Sequence, residues 1–224
     1  MGFNELNSVE HYIIHQLSGL NLNTEAQEPT SGYGVKWVFK SSEELQRSVN
    51  EVLVESELKE ALIRLNPDIS AKPELADEVI YKLRAVLIAV NQVGLVKANE
   101  EFFKWMTGEK TMPFGDNNRH VPIRLIDFDE LSNNTYIVTN QYRIHHRETK
   151  IPDVVMMING IPVVVGEAKT PIRPSVSWLD GAHEVHDIYE NAVPQLFVPN
   201  ILSFATEGKE LYYGAVRCPL GFWA

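Results

Sequence analysis

An α/β fold with a mixed central sheet of about four to six strands, helices on both faces and a helical insertion is the architecture this sequence predicts. Two different rhythms, one in each half of the chain, carry that expectation. Up to about residue 107 the apolar residues recur at helical spacing, as in Leu45, Val49, Val52 and Leu53 and then Leu58, Ala61, Leu62 and Leu65. From Val121 onward the apolar residues come in short β-branched and aromatic runs. At 224 residues and 44% hydrophobic side chains the chain can bury a core without covalent staples. No apolar run approaches the roughly 18 residues that a membrane helix needs.

The elements follow in order. Leu6, Val9, Ile13 and Leu17 form an apolar stripe on a first helix within residues 1–20, with Glu10 at its edge. The Gly32-Tyr33-Gly34 neighbourhood reads as a loop. Ser41 and Ser42 before Glu43 and Glu44 mark a helix start, opening a helical insertion over 43–110 that Pro67 and Pro73 punctuate and that holds a long periodic segment from Leu75 to Val90. Strands are expected at Arg124–Phe128, Tyr136–Thr139, Val154–Ile158, Val163–Val165 and Phe197–Ala205, with one helix from about Val176 to Val193 closed by Pro194. Residues 111–216, with the first helix, make the core of a single domain.

Thirty acidic residues against twenty basic ones leave a net charge of −10, which argues against an indiscriminate binder of nucleic acid. A carboxylate metal site would bring part of that charge itself. The single cysteine, Cys218, excludes a disulfide framework and a Cys-clustered zinc site. With no secretory signal at Met1-Gly2-Phe3-Asn4, a cytoplasmic location is expected. The pairs His11/His15 and His183/His186 lack a third ligand at metal spacing and read as solvent-facing. Trp105, Trp178 and Trp223 read as packing.

The informative stretch runs from Ile151 to Lys169. Two apolar strands meet at Asn159-Gly160, a strong hairpin signal. Asp153 opens the first strand, and Glu167 and Lys169 close the second. Carboxylates beside a strand core cost several kcal/mol unless a cation neutralises them, and a divalent metal is the economical candidate. Register makes this testable. A plain two-residue turn would pair Asp153 with Gly166 and point it away from Glu167, so a three-residue loop or an equivalent bulge is required for the two carboxylates to share a face. A structural ion-pair set at a sheet end is the alternative.

Pro152-Asp153, thirteen residues, then Glu167-Ala168-Lys169 resembles the PD-(D/E)xK nuclease signature. The phrases Pro-Asp-Val-Val, Asn-Gly-Ile-Pro-Val-Val, Glu-Ala-Lys-Thr-Pro and Pro194-Gln195-Leu196-Phe197 resemble, more narrowly, the amino-terminal endonuclease domain of the R subunit of type I restriction enzymes. The resemblance implies a restriction-endonuclease-like fold and Mg²⁺-dependent hydrolysis of phosphodiester bonds in double-stranded DNA, with Mn²⁺ able to substitute. It implies that Asp153 and Glu167 hold the metal, with the Ala168 carbonyl and Glu10 as further ligands, and that Lys169 orients the nucleophile. Glu10 reads equally as the partner of Asn7 in a capping box. The family often has a Gln four residues before a Tyr on the later helix; Tyr189 is present, but Val185 stands at the Gln position. Arg143, Arg147 and Lys150 form a basic patch before Pro152-Asp153 that, with Arg173 and Tyr189, would meet DNA. No Gly-x-x-x-x-Gly-Lys-Ser/Thr phosphate loop occurs, so the ATP-driven motor of the family is expected beyond this chain, with 217–224 as the start of its linker. The partners implied are modification and specificity subunits. A stand-alone or repair nuclease with the same site, and a docking module with vestigial carboxylates, are the other readings.

Overall fold

The computed structural model describes residues 9–28, 34–170 and 175–224. Helix α1 (His11–Ser18) ends at Gly19 in the left-handed conformation and leads into a small ribbon, β1 (Leu20–Asn21) with β2 (Ala26–Gln27). Strand β3 (Val38–Phe39) precedes four helices: α2 (Glu55–Leu65), α3 (Pro67–Ala71), α4 (Leu75–Val93) and α5 (Leu95–Met106). A second ribbon pairs β4 (Thr111–Gly115) with β5 (Arg119–Pro122). Strand β6 (Tyr136–Asn140) is followed by a third ribbon, β7 (Ile144–His145) with β8 (Thr149–Lys150), and then by the hairpin of β9 (Val154–Ile158) and β10 (Ile161–Ala168). A helical crossover of α6 (Trp178–His183), a π-helical turn (Glu184–Tyr189), α7 (Glu190–Ala192) and α8 (Pro194–Phe197) returns the chain to β11 (Leu202–Thr206) and β12 (Leu211–Gly214).

The central sheet has six strands in the order β12-β11-β10-β9-β6-β3. Strands β10 and β11 run parallel, as do β3 and β6, and the other pairs are antiparallel. Both faces are covered. On one, Val155, Met157, Val163 and Val165 join the side chains of α2, α4, α5 and the crossover in a single large core. On the other, Val138, Val154 and Phe204 pack beneath Ile14 of α1. This alternation along each strand is the period of two that a sheet buried on both sides requires.

The β9–β10 hairpin settles the register. Its turn has two residues, Asn159 and Gly160, with φ of 52° and 75°, the left-handed pair that a type I′ turn demands. Asn159 is fully buried: its side-chain amide donates to the Leu125 carbonyl and to Asn134, and its oxygen accepts from Thr135 N. A Cβ on Gly160 would stand 2.4 Å from the Val54 carbonyl, so glycine lets the start of α2 seat against the turn. The register then slips between Pro162 and Val164, placing an extra residue, Val163, in β10. The three-residue loop is therefore not used. The equivalent bulge is, and it sets Val154 opposite Gly166, which carries Asp153 opposite Glu167 on one face.

Three expected elements differ. Residues 41–53 form turns, and the first helix after β3 begins only at Glu55. Ser41 N and Oγ bond the Glu44 carboxylate, and Ser48 N bonds that of Glu51, so local side-chain bonds satisfy the backbone in place of a helix ladder. Segment 124–128 is no strand, because the side chains of Asn66 and Asn134 take the amides of Arg124 and Asp127 that a neighbouring strand would need. The strand expected from Phe197 starts at Leu202, Phe197 being the last residue of α8. Residues 217–224 fold back on the core: Ala224 exchanges both backbone bonds with Tyr213, and Trp223 is buried. No described helix is long and apolar enough to cross a membrane.

Candidate active site

The antiparallel order of β6, β9 and β10 brings the end of β6, the start of β9 and the end of β10 to one edge of the sheet. That edge collects Asn140 and Gln141, Asp153, and Glu167 with Lys169. Asp153 Oδ2 accepts the backbone N–H of Ala168 at 2.8 Å, which locks the two strand ends together. Glu167 is 3% exposed, lying under α6, which packs on β10 and β11. Its Oε1 accepts from Lys169 Nζ at 2.9 Å, while its Oε2 is buried without a hydrogen-bond partner among the described residues. Burial and the neighbouring Asp153 charge push the Glu167 carboxyl up to about 9.

Glu10 is reached from the other face. It stands in line with Ile14 and Ser18 on the buried side of α1, not at the edge of the stripe, and is 1% exposed. Asn140 Nδ2 donates to its Oε1 at 2.6 Å and Gln141 Nε2 to its Oε2 at 2.8 Å. The same Gln141 amide donates to Asp153 Oδ1 at 3.1 Å, so one side chain, presented by a residue with φ of 48°, spans two carboxylates. Burial raises the Glu10 carboxyl to about 7 against the lowering effect of both amides. Asn7, the partner in a capping-box reading, lies outside the described residues.

Lys169 is held twice. Besides Glu167 it donates to Glu184 Oε2 at 2.5 Å, and Tyr189 OH donates to Glu184 Oε1 at 3.0 Å. Burial opposes the ammonium charge, but the Glu167 and Glu184 carboxylates outweigh it and hold the lysine above its ordinary range. Burial and the same acids likewise hold the Tyr189 phenol high. Val185, at the position where the sequence pattern wants Gln, is fully buried in the main core. The residue facing the site is Glu184, five before Tyr189, because the π turn over 184–189 aligns positions i and i+5 where an α-helix would align i and i+4. Sequence reading missed Glu184 on that account, and missed Asn140 and Gln141 because neutral amides give no charge signal.

The nucleic-acid candidates divide. The side chain of Arg143 is exposed and has no hydrogen bond or ion pair among the described residues. Arg147 instead reaches the Asn191 carbonyl and Asn91 Oδ1, and Lys150 pairs with Glu148 at 2.8 Å. Tyr189 is buried beside Glu184. Arg173 lies outside the described residues.

Asp153 and Glu167 offer hard oxygens of the kind a divalent cation takes, but among the described residues no group of three or more Asp, Glu, His or Cys side chains could hold a metal ion as they stand. Glu167 and Glu184 meet the Lys169 ammonium, Asp153 and Glu10 are linked beside them by Gln141, and a buried oxygen of Glu167 has no hydrogen-bond partner among the described residues. Hard oxygens in excess of local positive charge are what Mg²⁺ or Mn²⁺ takes.

A six-stranded mixed sheet, flanked by helices and gathering acids and a lysine at one edge, defines a restriction-endonuclease-like fold. The chain belongs to the family described as type I restriction enzyme R protein N terminus, whose sequence model matches residues 3–220. Among curated proteins it is 30% identical over 162 residues to the type I restriction enzyme HindI endonuclease subunit of Haemophilus influenzae, a match covering 70% of this chain and 15% of that protein. It is 24% identical over 185 residues to a Methanocaldococcus jannaschii protein named for a type I restriction enzyme MjaIXP endonuclease subunit, covering 79% of this chain and 17% of that one. The chain thus spans about one sixth of the length of these relatives.

Proposed function

We propose that this chain is the Mg²⁺-dependent endonuclease module of a type I restriction R subunit, hydrolysing phosphodiester bonds of double-stranded DNA. The observation that carries the reading is the Val163 bulge, which puts Asp153 opposite Glu167, whose Oε2 at the same edge has no hydrogen-bond partner among the described residues. Asp153 and Glu167 would hold the metal, with Glu10 and the Ala168 carbonyl completing the protein donors. Mg²⁺, when bound, polarises the phosphoryl oxygen and lowers the pKa of bound water.

The remaining chemistry belongs to the chain. Gln141 fixes Asp153 and Glu10 at a common spacing, so the acids need little reorganisation to act together. Lys169 Nζ, aimed by Glu167 and Glu184, is placed to donate to the attacking oxygen or to the charge that develops on the phosphate. Tyr189 holds Glu184 in turn. In the full-length subunit ATP would serve a motor region, and modification and specificity subunits would select the DNA.

Calorimetric titration of Mn²⁺ into the wild-type chain and the Asp153→Ala variant tests the reading. Saturable binding lost in the variant is the expected result; equal binding in both would overturn the metal assignment.

A further inference from the structure

A groove of about 490 Å³ opens directly beside the carboxylate cluster. One wall is the turn segment with Ser41, Ser42, Glu43 and Val49; the other is Asn140, Gln141 and Arg143. Asn140 and Gln141 therefore belong both to the groove and to the hydrogen bonds that orient Glu10 and Asp153. Arg143 is two residues beyond Gln141, no more than about 7 Å along the chain.

The walls are tied together. Arg47 stacks 3.6 Å over the Tyr142 ring and donates to the carbonyls of Ser48, Glu51 and Arg143, so its own donors are largely committed to the fold. Leu45, 5% exposed, anchors the same segment in the main core. The groove is thus preformed, which spares a ligand the cost of ordering it. Its lining carries two guanidinium groups, Arg47 and Arg143, against one carboxylate, Glu43, in a chain whose net charge is −10. Arg143 is the exposed cation among them that has no partner among the described residues.

We propose that this groove receives the sugar–phosphate backbone of the DNA strand adjoining the scissile phosphate, with Arg143 contacting a phosphate and the Ser41 and Ser42 hydroxyls lining its path. Arginine, serine and asparagine are the side chains that position backbone phosphates without reading sequence. That role suits a module whose site selection lies elsewhere. The inference rests on the nuclease reading above and adds to it a function for residues 41–49.

The test is anisotropy titration of a labelled duplex at low ionic strength, with Ca²⁺ as the divalent ion, using wild type, Arg143→Ala and Arg119→Ala. Arg119 is an exposed arginine of a different groove, the one that includes Phe128, and controls for bulk charge. Arg143→Ala is expected to weaken binding roughly tenfold and to flatten the slope of log K against log salt by about one, with Arg119→Ala within about twofold of wild type. Equal losses in both variants, no loss in Arg143→Ala, or no duplex binding by the wild type would overturn the proposal. The Mn²⁺ isotherm of Arg143→Ala is expected to match wild type. Loss of Mn²⁺ binding in wild type would instead sink the nuclease reading, so the two failures are distinct.

Discussion

Lys169 Nζ lies 2.5 Å from the Glu184 carboxylate, closer than its 2.9 Å to Glu167. The lysine of the candidate site is therefore aimed by a residue on the crossover, fifteen positions along the chain. Removing that aim should cost turnover more than metal affinity. Glu184→Ala is expected to lower metal-dependent cleavage by about 10–100-fold, the usual effect of losing a group that orients an active residue. Glu184→Gln, which keeps an oxygen for Lys169, should recover part of it. Loss of Mn²⁺ binding in Glu184→Ala, as complete as in Asp153→Ala, would make Glu184 a ligand.

Lys169 itself separates binding from chemistry. Lys169→Ala should leave Mn²⁺ affinity intact or improved, because a competing ammonium has gone, while cleavage of a supercoiled plasmid falls below detection. Normal cleavage by that variant would refute the role given to it.

The crowded carboxylates set a pH dependence. Glu10 titrates near 7 and Glu167 near 9 in the folded chain, both above the ordinary 4.5. The folded state therefore holds protons that the unfolded chain has released, and stability falls as pH rises from the ordinary carboxylate range, the Glu10 contribution ending near 7 and that of Glu167 near 9. Urea unfolding of the metal-free protein should show a loss of about 3–5 kcal/mol between pH 6 and 9. Glu167→Gln should flatten the upper part of that decline, and saturating Mn²⁺ should oppose it. A flat profile in the wild type would contradict the buried, unbalanced charge.

Packing beneath the site has its own test. A Cβ on Gly166 would stand 2.1 Å from the Phe204 ring, which lies across the β10–β11 pair under α1. Gly166→Ala should destabilise the fold by about 1–3 kcal/mol through overpacking, read as a lower urea midpoint. Phe204→Leu in the same chain should recover part of the loss, since the two positions share one space.

Much of this was legible along the chain. The hairpin at Asn159-Gly160 and the strands around it follow from turn chemistry and β-branched runs, which act over a few residues. The need for a bulge was also legible, since Asp153 and Glu167 cannot share a face across a plain two-residue turn. The bulge's location was not: it lies at Val163 and not in the loop, where the register must slip between the turn and the edge that carries the acids. The helix expected from residue 43 failed for a related reason, because Leu45, Val52 and Leu53 are buried at helix-like intervals by turns that side-chain bonds hold in place.

The sequence by itself determined the α/β class and which charged side chains stand at strand ends, because periodicity and turn residues are local properties of the chain. Only the tertiary structure decided what those charges face. Gln141 reaches Glu10 across 131 positions of sequence and links it to Asp153, and Glu184 replaces Val185 before Lys169 because one π turn rotates the helix beneath them. Such pairings depend on how distant elements dock and on a helical register that no local propensity fixes. For that reason Asp153, Glu167 and Lys169 could be singled out along the chain, whereas Glu184, Asn140 and Gln141, and the way all of them face one another, could not.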